Sequence, residues 1–268
     1  MKILAPFEKL FTPYVLVALN LVIILSAEFA GGGTYFEETG LMHAIALLFV
    51  GLIIVRIFSD YAFSDYILKG FLKIQLAFFL FLGLVHVYEY LGLDVFMFNE
   101  EVVELSVMGS YLLWIFGILL ALEFVFRIYS KKSAMFTMLL SALLIGGFSV
   151  LVGASVSPAV AESLPKWLPL VILAGIVGFG IISILAIIKI REIMPVFSDY
   201  SRCAIPAIIF VTLSAFSEYF ESTGSLAALG VSDTQVLYFA HFFVYVALSF
   251  LLVGFGKLKK PTGIYAEM

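Results

Sequence analysis

Apolar residues along this chain gather into runs of about 20, the length an α-helix rising 1.5 Å per residue needs to cross a hydrocarbon core of about 30 Å. Eight runs of this kind predict membrane spans over residues 13–30, 41–57, 70–91, 105–127, 134–154, 167–189, 203–220 and 235–256. The connections between them are short, which makes sequential helices antiparallel neighbours. The expected fold is all-α: a polytopic membrane helix bundle of about eight transmembrane helices in a single integral membrane domain. The first run resembles a signal peptide in its flanking Lys2 and Lys9. It ends at Glu28 instead of a small-residue cleavage site, and Gly31-Gly32-Gly33 follows, so it reads as a retained span.

Charged positions orient the bundle. Lys2, Lys9, Arg56, Lys69, Lys73, Arg127, Lys131, Lys132, Lys189, Arg191, Arg202, Lys257, Lys259 and Lys260 fall on one side of the predicted spans, and Lys166 falls on the other. Lys and Arg near span ends favour the cytoplasm, so both termini are expected to be cytoplasmic. Glu37, Glu38, Asp94, Glu100, Glu101, Glu104, Glu162, Glu221 and Asp233 lie in or beside the opposite loops.

Composition agrees with this topology: 63% of residues are hydrophobic and 13% charged, against about 45–50% and about 25% in soluble domains. The expected partners are the lipid bilayer and either further membrane subunits or a second copy of the chain. A net charge of −4 with dispersed basic residues excludes nucleic acid, which needs clustered Lys and Arg. The single cysteine, Cys203, excludes an internal disulfide and a Cys-cluster metal site.

A tetrapeptide repeat suggests two parallel four-helix repeats, residues 1–132 and 133–268. Phe58-Ser59-Asp60-Tyr61 and Phe63-Ser64-Asp65-Tyr66 follow span two, and Phe197-Ser198-Asp199-Tyr200 follows span six. Glu89-Tyr90 and Glu218-Tyr219 then sit near the outer ends of the corresponding spans three and seven. The same tetrapeptide also suits a membrane interface, with aromatics at headgroup depth and Ser or Asp capping a helix. Spans five and six are rich in glycine (Gly146, Gly147, Gly153, Gly175, Gly178, Gly180), which predicts close helix packing.

Ionisable groups inside a membrane are costly and mark functional sites. His86 and Glu89 stand three apart near the end of an apolar run, hence on one helical face. Counting helical rise from the cytoplasmic ends places His43 and His86 roughly 20 Å up, Glu89, Glu218 and His241 roughly 24 Å, and Glu28 roughly 28 Å. The six form one candidate layer toward the outer leaflet. Imidazoles and carboxylates without thiolates suit a divalent metal (Zn, Fe, Mn, Ni or Cu), with haem held by a His pair as the lesser expectation.

Three functions compete on this evidence. The first is a transporter or channel-like carrier whose His/Glu cluster faces outward and binds a metal cation or proton. The second is a membrane-embedded metal or haem enzyme, or a redox subunit. The third is a noncatalytic sensor or scaffold subunit of a larger complex. No HExxH, no Ser nucleophile motif and no repeated Glu-x-x-His occurs, so no catalytic residue is assigned.

Overall fold

A computed structural model of the chain describes residues 12–31, 41–61, 64, 66–91, 96, 99–130, 135–155, 157, 159, 162–223, 226 and 230–258. Among these the chain is all helical. We label the long helices α1 (Pro13–Gly31), α2 (Leu41–Tyr61), α3 (Tyr66–Tyr90), α4 (Glu100–Ser130), α5 (Met135–Ser155), α6 (Leu168–Ile193), α7 (Ser198–Thr223) and α8 (Asp233–Gly256), with a 3₁₀ turn at Pro195–Phe197. Six of them, α2, α3, α4, α6, α7 and α8, are long and apolar enough to cross a bilayer. The protein is therefore a multi-pass membrane helix bundle.

Helix ends lie beyond the apolar runs because hydropathy marks the hydrocarbon, whereas backbone hydrogen bonding continues until a cap or breaker stops it. Asn99 accepts from the Val102 N–H at 3.2 Å at the start of α4. At the start of α8, Ser232 Oγ accepts from the Gln235 N–H at 3.2 Å and the Ser232 N–H donates to Gln235 Oε1 at 3.1 Å, a reciprocal capping box. Pro169 opens α6, and Met194, extended ahead of Pro195, closes it. Pro206 is accommodated inside α7.

The helices α4 and α8 form the centre, and α4 is the most enclosed. Neighbours pair as α1 on α8, α2 on α3, α2 on α8, α3 on α4, α4 on α5, α4 on α6, α6 on α7 and α7 on α8. These pairings map onto one another when every helix is exchanged for the one four places along. The α4–α7 contact has no counterpart of equal extent between α8 and α3.

Between membrane helices apolar burial gives no net preference over lipid, so packing and buried polar contacts decide which faces meet. Asn20 Nδ2 donates to Ser249 Oγ at 3.0 Å (α1–α8), Gln75 Nε2 to the Gly117 carbonyl at 3.2 Å (α3–α4) and Ser214 Oγ to the Ala240 carbonyl at 2.9 Å (α7–α8). The tightest approaches at glycine lie outside the Gly-rich hairpin, although within it an added Cβ would lie 3.1 Å from Leu112 of α4 at Gly175 and 3.4 Å from Ile208 of α7 at Gly180. A Cβ added at Gly146, Gly147, Gly153 or Gly178 would meet nothing within 4 Å among the described residues, whereas at Gly117 it would lie 2.5 Å from the Phe78 ring and at Gly254 2.9 Å from Cys203 Cβ.

The repeated tetrapeptide occupies unlike settings. Phe197 and Tyr200 are buried against Phe71 and Phe255, with Phe71–Phe197 and Tyr200–Phe255 ring centroids 5.0 and 5.4 Å apart. Phe58 and Tyr66 are exposed, as an interface residue would be, and Phe63 and Asp65 lie outside the described residues.

Candidate metal centre

Three helices bring the centre together. His43 lies one turn inside the start of α2 and Glu89 at the last turn of α3, an antiparallel neighbour, so start and end coincide in height. His241 lies two turns into α8, which packs on α2. One ligand atom from each of His43, Glu89 and His241 lies within 4.8 Å of the other two. This His/Glu/His triad is able to chelate a metal ion.

The contacts fix the roles of individual atoms. Glu89 Oε2 is 3.4 Å from His43 Nδ1 and 3.1 Å from His86 Nδ1. His241 Nδ1 is 3.0 Å from the Leu237 carbonyl. A carbonyl only accepts, so Nδ1 carries the proton and Nε2 presents its lone pair, the arrangement of metal-ligating histidines oriented by a backbone carbonyl. The His43 and His241 rings meet edge to face at 5.8 Å. Behind them Tyr245, one turn beyond His241 on α8, donates its hydroxyl to the Met42 carbonyl at 2.9 Å and ties α8 to the start of α2.

The cluster is buried, not outward-facing: His43, Glu89 and His241 are only 8%, 7% and 5% exposed. This overturns the sequence expectation of a layer presenting its groups to the outside, and with it the carrier reading drawn from that expectation. Depth along a helix says how far a residue lies from the membrane edge but not which way its side chain turns. Here each group turns into a helix interface, where the carboxylate finds imidazole partners that lipid cannot supply.

The other candidate residues fall around the triad. His86 is 2% exposed and reaches it through Glu89; its Nε2 is buried without a hydrogen-bond partner among the described residues. Glu218, 4% exposed on α7, is close enough to Tyr111 of α4 and to Glu89 to interact electrostatically with both. The side chain of Glu28 lies outside the described residues. Tyr245 and Tyr111 escaped the sequence reading. Tyr245 is findable by its four-residue spacing from His241, while nothing local links Tyr111 to Glu218.

At the opposite end of the bundle Glu123 and Arg127 form a pair one turn apart on α4. No protein family, curated protein or solved structure matches the chain. The functional reading therefore rests on the site itself.

Proposed function

We propose that this protein is a membrane-embedded metalloprotein holding one divalent cation between His43, Glu89 and His241. The observation that carries the proposal is the meeting of three ligand atoms from three helices within 4.8 Å of one another in a buried setting. A lone carboxylate buried among imidazoles is expensive without a compensating cation. A divalent ion supplies that charge and uses the lone pair that His241 Nε2 presents.

One donor spacing is compatible with a four-coordinate ion, toward which the other donors, all within 4.8 Å of one another, would draw in on binding. Metal–nitrogen and metal–oxygen bonds of about 2.1 Å at tetrahedral angles separate neighbouring donors by about 3.4 Å, against about 3.0 Å in an octahedron. His43 Nδ1 and Glu89 Oε2 stand 3.4 Å apart. Zinc fits that donor set and shape best among the candidate metals, ahead of iron, manganese, nickel and copper. Three protein ligands leave one position open, as in sites that activate a bound water or small molecule rather than only brace a fold. In this reading His86 is a positioning residue that holds the carboxylate by its Nδ1–H, and Glu218 stands outside the coordination sphere.

The same reading keeps the eight-span topology with both termini cytoplasmic and an ancestral duplication of four helices. The exchange of packing partners four helices apart supports the duplication. Reporter fusions active only in the cytoplasm, placed at both ends, test the orientation.

Elemental analysis of detergent-purified protein tests the metal. About one zinc or other divalent ion per chain is expected in wild type and in Glu218→Gln, falling to background in His241→Ala and Glu89→Gln. Wild type without bound metal after growth and dialysis with zinc, or metal content indifferent to both triad substitutions, refutes the reading.

A further inference from the structure

Away from the metal centre, α3, α4 and α5 enclose a half-open apolar groove of about 620 Å³, within the range of ligand pockets. Ala77, Phe78 and Phe81 of α3, Phe116 of α4 and Phe148 of α5 are among its walls. The Phe81 and Phe148 rings meet edge to face at 4.8 Å, and Phe78 settles against Gly117, where a Cβ would lie 2.5 Å from the ring. The hydroxyl of Ser149, also in the wall, donates to the Ile145 carbonyl of its own helix at 2.9 Å. The groove therefore makes no polar demand on an occupant.

A second feature gives the groove a polarity. Lys69, Lys73, Ala77 and Phe81 follow one another at four-residue spacing and so form a ridge along one face of α3. The helix begins at Tyr66, which puts both lysines in its first turns, at the membrane edge; Lys73 is exposed and Lys69 half-buried. From Lys73 to Phe81 the rise is about 12 Å. A basic edge leading into an aromatic slot has the amphipathic order of a phospholipid.

We propose that this face of α3 binds one anionic glycerophospholipid, its phosphate on Lys69 and Lys73 and an acyl chain in the groove. The lysines supply headgroup selection and the rings supply chain contact. The site is separate from the metal centre and stands or falls independently of it.

Trp114, next to groove-lining Leu113 on α4, is one of the chain's two tryptophans and serves as the reporter. Trp167→Phe protein is reconstituted in phosphatidylcholine vesicles and titrated with phosphatidylglycerol brominated on its acyl chains. Quenching of Trp114 is expected to saturate at low mole fraction, while brominated phosphatidylcholine quenches only in proportion to its amount. Lys69→Gln and Lys73→Gln each raise the half-saturating fraction about fivefold. Filling the slot by Ala77→Phe, or from the α5 side by Val152→Phe, removes the saturable component without changing metal content. Equal quenching by the two lipids, or saturation that survives both lysine substitutions, overturns the proposal.

Discussion

Substituting His86→Phe keeps a ring behind Glu89 and deletes the His86 nitrogen that touches its carboxylate. In the proposed site that nitrogen donates to Glu89 Oε2 at 3.1 Å. A hydrogen bond to a charged group contributes about 1.5–3 kcal/mol, and losing an outer partner of a metal ligand lowers metal affinity about 10–100-fold, or about 1.4–2.7 kcal/mol. The two routes agree, so the metal dissociation constant should rise by one to two orders of magnitude. The fold should respond differently. His86 Nε2 is buried without a partner among the described residues, and removing such a group relieves about 1–3 kcal/mol. That relief offsets the lost bond in the metal-free protein, whose stability should change by less than about 1 kcal/mol. Competition for zinc against a fluorescent chelator gives the affinity, and thermal unfolding with excess chelator gives the metal-free stability. Affinity within twofold of wild type, or a fall in affinity matched by an equal fall in metal-free stability, would refute the positioning role.

Other expectations follow from the same geometry. Zinc at 100 times its dissociation constant should stabilise wild type by about 2.7 kcal/mol, read as a rise in Tm that His241→Ala abolishes. Tyr245→Phe removes the 2.9 Å bond to the Met42 carbonyl and should cost about 0.5–1.5 kcal/mol in detergent unfolding; no change would mean the tether is not maintained. Alanine at Gly254 drives a Cβ to 2.9 Å from Cys203 Cβ, where neither helix backbone can yield, and should cost about 1–3 kcal/mol. The same change at Gly178, which faces open space among the described residues, should stabilise by up to about 1 kcal/mol; equal effects at the two positions would contradict the packing. Arg127→Met breaks its partly exposed pair with Glu123 and should cost no more than about 1 kcal/mol, with metal content unchanged.

The sequence by itself determined the fold class. Each helix must satisfy its own backbone in lipid, so a run of about 20 apolar residues predicts a spanning helix; all eight runs are helical apart from their ends, and six of those helices are long and apolar enough to cross a bilayer. Those ends were not legible from hydropathy because capping groups such as Asn99 and Ser232, outside the apolar runs, decide them. The sequence also singled out His43, Glu89 and His241, since ionisable side chains stand out against an apolar background and helical rise puts them at one height. It could not choose the triad from the six residues of that layer. The choice depends on the direction each side chain faces and on α2, α3 and α8 being neighbours, and neither is a local property. Only the tertiary structure turned those groups inward, joined His86 to the triad through Glu89 and set Glu218 near Tyr111. The physical reason is that lipid rewards any apolar face equally, so the buried polar contacts and the few close-packed glycines select the arrangement, and their partners lie far apart in the chain.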